Sequence, residues 1–212
     1  MRVSTAIHLL AFGIAVRAFP ARHVGDNRPY RVVARQEEVE DPNKLDITGT
    51  FGTTVALQGG NIQQDVLYAP GVVGALEVEF SNADGRSLKV KEVTEPGSPP
   101  AGFALLEPVA YKIKVKGGSA KNLTLSKVDY IQNAASTIDI SQGQIGLLDK
   151  ATNTYVIGGD TSIGEIEFEA DERELTLKVN NLKGEWAILI PTAAAAAAAA
   201  APTAAANKTA AT

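Results

Sequence analysis

Apolar and polar positions alternate strictly along much of the chain, and that alternation is its main structural signal. Leu76, Val78 and Phe80 alternate with Glu77 and Glu79; beyond Asn82-Ala83-Asp84-Gly85, Leu88 and Val90 alternate with Lys89 and Lys91. A period of two sends successive side chains to opposite faces of a strand. The Asp-Gly step between the runs predicts a hairpin, apolar on one face and with glutamates opposite lysines on the other. The same pattern recurs at Tyr111, Ile113 and Val115 among Lys112, Lys114 and Lys116, and at Leu123 and Leu125 among Asn122, Thr124 and Ser126. Ile166 and Phe168 alternate with Glu165, Glu167 and Glu169, and Leu175, Leu177 and Val179 follow after Asp171-Glu172-Arg173. Trp186, Ile188 and Ile190 close the series; Ala187 and Leu189 between them are apolar too, which predicts a last strand covered on both faces.

Shorter strands are expected at Ile47–Leu57, Asp65–Tyr68, Phe103–Leu106, Lys127–Ile131, Ile138–Ile140, Ile145–Leu148 and Thr154–Ile157, the last two joined as a hairpin. No segment of ten or more residues holds a helical period. Many short strands with one wet face and frequent turn signals predict an all-β fold. The expected architecture is an antiparallel β-sandwich, jelly-roll or immunoglobulin-like, with a closed barrel as the alternative and with disordered N- and C-terminal segments. Gly74–Phe80 with Leu88–Val90 resembles Gly164–Glu169 with Leu177–Val179, as two hairpins of like design would.

The two ends have a different composition. Met1-Arg2, an apolar run from Ala6 to Val16 and small residues at Val16 and Ala18 describe a secretory signal peptide over residues 1–18. Residues 19–35 are basic, with Arg22, Arg28, Arg31 and Arg35 against Asp26, and an acidic linker follows from Gln36 to residue 44. The basic stretch reads either as a pro-segment or as an arm that stays attached. The sandwich domain is expected over residues 45–191. From 192 to 212 the chain is an Ala/Thr/Pro-rich low-complexity tail, too poor in large apolar side chains to build a core and similar to a glycosylated stalk. Its end lacks the hydrophobic stretch of a glycolipid-anchor signal.

Charge and cysteine count narrow the picture. From Gln36 onward the chain carries 14 Lys and Arg against 23 Asp and Glu, a net charge of −9. Such acidity argues against nucleic acid or anionic lipid as partner. There is no cysteine, so an exported domain of this size must stand on packing alone. The two histidines, His8 and His23, both precede Gln36. A chain trimmed there has no imidazole or thiolate for Ser-His-Asp or Cys-His catalysis, or for an ordinary zinc or copper site.

What remains is carboxylate chemistry, hard-cation binding or recognition. Glu165-Ile166-Glu167-Phe168-Glu169 resembles the Glu-x-Asp-x-Glu strand of the laminarinase-type glycoside hydrolases, departing from it at Glu167. The resemblance implies Glu165 and Glu169 as nucleophile and acid/base of a carboxylate-dependent hydrolase. The competing reading is a solvated strand face balanced by Lys178. Asp149, Asn153 and Asp160 are candidate calcium ligands in loops, although turn geometry alone accounts for Asp and Asn there. A carbohydrate-binding module would need exposed rings; Tyr68 and Tyr155 border loops, whereas Tyr111 and Trp186 keep core parity and Tyr130 is a further ring. Asn122-Leu123-Thr124 and Asn207-Lys208-Thr209 are glycosylation sequons.

The expectation is therefore a secreted, non-enzymatic extracellular protein, cell-wall associated and glycosylated, whose make-up resembles that of fungal secreted proteins. It has no cofactor, no metal site, no membrane span and no catalytic residues. Its partner is an extracellular protein or a cell-wall polysaccharide.

Overall fold

The computed structural model describes residues 43–158 and 163–193. The expected leader, the basic segment, the tail beyond residue 193, Asp160 and Asn207 lie outside the described residues. Thirteen strands run in order: β1 (Lys44–Thr48), β2 (Thr54–Leu57), β3 (Gln63–Leu67), β4 (Gly74–Ser81), β5 (Arg86–Val93), β6 (Phe103–Leu105), β7 (Ala110–Lys116), β8 (Leu125–Gln132), β9 (Gln144–Asp149), β10 (Thr154–Val156), β11 (Gly164–Glu169), β12 (Glu174–Val179) and β13 (Gly184–Pro191). They form a six-stranded sheet, β1-β3-β4-β8-β12-β11, and a seven-stranded sheet, β10-β9-β13-β7-β5-β2, with β6 beside the end of β13. The two sheets lie in a sandwich-like arrangement. All pairings are antiparallel except β1 with β3. No helix among the described residues is long and apolar enough to cross a membrane.

The inward-facing apolar positions meet between the sheets. Leu76, Val78 and Phe80 from β4, Val128 and Tyr130 from β8, and Leu175 and Leu177 from β12 face Leu88 and Val90 from β5, Ile113 from β7 and Trp186 and Ile188 from β13. Each fully buried side chain of this size contributes about 1.5–3 kcal/mol relative to exposure. Trp186 satisfies its one donor by giving its indole N–H to the Leu182 carbonyl at 3.0 Å. Phe51, on the link from β1 to β2, stacks on Tyr68 of one sheet at 4.9 Å and on Tyr111 of the other at 5.8 Å.

The expected hairpin at Asn82–Gly85 is not one. β4 belongs to the six-stranded sheet and β5 to the seven-stranded sheet, so the link is a corner between layers. The reason lies in a second corner beside it, Gln58–Ile62, which carries the chain from β2 back to β3. Gly60 N–H donates to the Ala83 carbonyl at 2.8 Å and Asn61 N–H to the Asn82 carbonyl at 3.0 Å. Gly85 is packed so closely that a Cβ there would stand 2.7 Å from the Leu57 carbonyl oxygen. A two-stranded ribbon, β2–β3 against β5–β4, thus bends as a unit from one sheet to the other. By contrast β11 and β12 do form a hairpin within one sheet, so the two look-alike segments are built differently.

Other expectations need correction. Ile47–Leu57 is two strands in different sheets, broken at the turn containing Gly52 (φ 81°). Ile138–Ile140 is not a strand. The segments around Leu125 and Lys127 are one continuous strand, β8, whose parity is the reverse of that read from Leu123 and Leu125: Ser126 faces inward and Leu125 does not. Ser126 tolerates the core because its hydroxyl donates to the Val179 carbonyl at 2.6 Å.

The last strand is covered on both faces, as its unbroken apolar run predicts. Ala187 and Leu189 join Ala110 and Tyr155 in a second, smaller core on the outer side of the seven-stranded sheet. The chain between β5 and β6 supplies the cover: Ser98 exchanges backbone hydrogen bonds with β10 and its loop, and Gly97 sits against Leu148. Buried Glu107 ties the layers at one end. Its carboxylate accepts the backbone N–H groups of Val72, Val73 and Gly74 at 3.2, 2.8 and 3.2 Å, and the Tyr130 hydroxyl at 2.5 Å.

Burial ranks three substitutions. Phe80 is fully buried, Phe168 half-buried on the edge strand β11, and Glu167 exposed. Phe80→Ala is expected to cost about 3–5 kcal/mol, Phe168→Ala roughly half that, and Glu167→Ala less than about 0.5 kcal/mol. Urea unfolding of the three variants checks the order; equal losses for Phe168 and Glu167 would reverse the assigned faces of β11.

Candidate functional site

Because β4 and β5 separate, the glutamates and lysines between their core residues do not pair. They go to opposite outer surfaces of the sandwich. Alternation along each strand then stacks like charge on like charge, and each outer face acquires its own sign.

The seven-stranded sheet presents lysines. In register, Lys89 on β5 stands opposite Lys114 on β7, and Lys91 opposite Lys112. Like charges in directly opposed positions are destabilising. Lys112 alone of these has an ion pair among the described residues, to Glu185 at 3.5 Å. Where β13 begins at Gly184, β7 and β9 have no strand between them, and a cleft of about 890 Å³ opens there. Ile113, Val115, Leu147, Leu148, Val156 and Ile163 give it an apolar lining, and Lys112, Lys114, Lys116, Lys150 and Lys183 surround it, outnumbering the acidic Asp149 and Glu185. Gly184 at the mouth packs closely against the Leu147 side chain, which would have to shift to admit a Cβ there.

The six-stranded sheet presents carboxylates. Glu77 on β4 is the direct partner of Asp129 on β8, and Glu174 on β12 lies diagonally from Asp129. One carboxylate oxygen from each of Glu77, Asp129 and Glu174 falls within a common 4.8 Å. The carboxylates on one flank have cations: Lys44 holds Asp65 at 2.9 Å, and Lys127 holds Glu79 at 3.1 Å. The central three have no ion pair among the described residues. Burial, reinforced by Asp65 and Glu79, pushes the Glu77 carboxyl up to about 7. Burial and then Glu77 push Glu174 up to about 8. Asp129 is raised well above the ordinary carboxylate range, by burial first and then by Glu79 and Glu174, with Lys127 opposing.

The residues singled out from sequence fall elsewhere. Glu165 is exposed opposite Lys178, and Glu169 lies opposite Glu174, where its carboxylate accepts the Thr176 hydroxyl at 3.5 Å. Neither lines a cleft described here. Tyr68 and Tyr155 were expected as exposed rings and are buried instead, as are Tyr111, Tyr130 and Trp186. Tyr68 is held under Phe51, and Tyr155 lies beneath the β5–β6 segment with its hydroxyl donating to Glu185 at 3.3 Å. None of them offers a ring face to a sugar. Asp149 directs both carboxylate oxygens into its own turn, accepting Ala151 N–H and the Thr152 hydroxyl, each at 2.9 Å. Asn153 takes the left-handed conformation of that turn (φ 55°). Asn122 is exposed in a left-handed turn (φ 53°) just before β8 rather than within a strand.

Asp129 and Glu174 carried no role in the sequence reading. Asp129 does alternate with Val128 and Tyr130, which marks it as outward. Only strand pairing reveals that Glu77 and Glu174 converge on it.

The raised carboxyls set a pH dependence. Between their ordinary value of about 4.3 and the folded values near 7 and 8, the folded state binds more protons than the unfolded state, so stability falls as pH rises. The surrounding Asp65, Glu79, Glu169 and Glu172 act in the same direction on these groups, and Lys44 and Lys127 oppose them. In EDTA-containing buffer the melting temperature is expected to be higher at pH 5 than at pH 8.5, and Asp129→Asn should flatten the difference. A melting temperature that rises across that interval would contradict the assignment. Neither a protein-family model nor any curated protein sequence matches this chain.

Proposed function

We propose that this is a secreted, non-enzymatic interaction protein whose lysine-rimmed cleft takes up an acidic, partly apolar segment of an extracellular partner protein. One observation carries the reading: an apolar cleft set in a surface where lysines oppose lysines. Lys89 and Lys114, opposed in register without an ion pair among the described residues, cost stability when the surface is free. An acidic partner relieves that cost, and the apolar lining contributes burial that a bare electrostatic surface lacks. Charge complementarity also raises the rate of encounter.

Four features support the remainder. The leader-like run from Ala6 to Val16 ending at Ala18 favours export. Asn122 is exposed on a turn, where a glycan meets no packed neighbour. Glu165 and Glu169 lie on an open strand face, so the reading assigns them no catalytic role. The buried tyrosines favour a protein segment over a polysaccharide as the occupant.

The test uses a random glutamate–tyrosine copolymer as probe, with polygalacturonate as an acidic polymer lacking apolar groups. The copolymer is expected to bind in low salt, to weaken steeply as sodium chloride is added, and to lose at least tenfold in affinity to a Lys114→Glu/Lys116→Glu/Lys183→Glu variant of unchanged melting temperature. Equal binding by that variant, or stronger binding of polygalacturonate, would overturn the proposal. The same preparation should release no reducing sugar from laminarin.

A further inference from the structure

On the outer face of the six-stranded sheet, remote in function from the lysine cleft, we propose that Glu77, Asp129 and Glu174 form a binding site for one calcium ion. The strongest observation is Asp129 itself. It has no exposed surface, and neither carboxylate oxygen has a hydrogen-bond partner. A buried carboxylate left without donor or counter-charge is among the most unfavourable arrangements a fold can hold. Nothing in strand formation requires it, because Ala, Thr or Val would serve β8 equally well at that position. A second atom repeats the signal: Oε1 of Glu174 is likewise buried and unpartnered. These unsatisfied oxygens belong to the same cluster, whose members lie within 4.8 Å of one another.

The available cations are engaged elsewhere. Lys44 and Lys127 are held by Asp65 and Glu79, which leaves the central three carboxylates facing one another across neighbouring strands. Their placement is set by backbone, not by loops. Glu77 and Asp129 are register partners, and Glu174, the register partner of Ile131, lies diagonally from Asp129.

Donor type decides the ion. An all-carboxylate set without nitrogen or sulfur selects a hard cation. Calcium accepts irregular geometry at about 2.3–2.6 Å, so ligand oxygens on one ion stand no more than roughly 5.2 Å apart, and the three carboxylate oxygens, all within 4.8 Å of one another, meet that limit. Magnesium demands a tighter, near-ideal octahedron at about 2.0–2.1 Å and gives up its water reluctantly. Three carboxylates on rigid strands therefore favour calcium, with water completing the shell.

The experiment is calorimetric titration of the full chain with calcium chloride, alongside thermal melts in calcium, magnesium or EDTA. The expected result is one saturable calcium site, a melting temperature that climbs with calcium concentration as linkage requires, and a weaker response to magnesium. Asp129→Asn, which removes the unpaired charge and keeps the side-chain shape, should fold and lose at least tenfold in calcium affinity. If that variant fails to fold, Glu174→Gln serves in its place. Glu167→Gln, exposed on the same face, should bind as the wild type does. Absence of a saturable calcium heat with no melting shift at millimolar calcium would overturn the proposal. So would an unchanged affinity in both Asp129→Asn and Glu174→Gln.

Discussion

Two short corners hold each other by backbone hydrogen bonds, and the rest of the architecture follows from that contact. Gly60 and Asn61 in one corner donate to Ala83 and Asn82 in the other, at 2.8 and 3.0 Å. The mutual bond satisfies backbone groups that would otherwise be unpaired at a bend between layers. It also forces β2 and β5 to leave for one sheet while β3 and β4 remain in the other. The buried apolar positions on those four strands then fall into a single core between the layers. A tight hairpin at Asn82–Gly85 would have produced one sheet with mixed charges on its wet side.

The electrostatic character of the molecule is a consequence of that bend. Glutamates of β4 and lysines of β5 are neighbours in sequence and lie on opposite outer surfaces. On the carboxylate side, β8 and β12 add Asp129 and Glu174 to Glu77; on the lysine side, β7 adds Lys112, Lys114 and Lys116. Each face therefore holds more of one sign than its own pairs neutralise. The net charge of −9 from Gln36 onward conceals this division, and reasoning from it alone underrates a cationic surface.

Strand positions and most core residues were legible in the chain because the period of two is local. Leu76, Val78, Phe80, Ile113, Leu177 and Trp186 all lie in the core that alternation assigns them. The double coverage of β13 was legible for the same reason. Pairing was not, because it depends on contacts far apart in sequence: Gly60 with Ala83, or Gln58–Ile62 with Asn82–Gly85, carries no local mark. Tyr155 looks exposed from its place beside a polar loop, yet a segment 58 residues earlier covers it, with Gly97 N–H donating to its hydroxyl at 3.3 Å. The acidic cluster was hidden likewise. Glu77 was visible as a wet-face residue, but Asp129 and Glu174 become its neighbours only once β8 lies between β4 and β12.

The glutamates of β11 have one more consequence. β11 ends the six-stranded sheet, and its outer backbone edge has no neighbouring strand among the described residues. Such an edge is a template on which a second copy of the chain can continue the ladder. Glu165 and Glu167 are exposed along it, and the same residues of an approaching copy would bring carboxylate against carboxylate with no lysine between them. At the other sheet the outermost strands are short, four residues for β2 and three for β10, and offer little length to copy. A run of charge that resembles a catalytic strand thus opposes edge-to-edge pairing of two copies along β11.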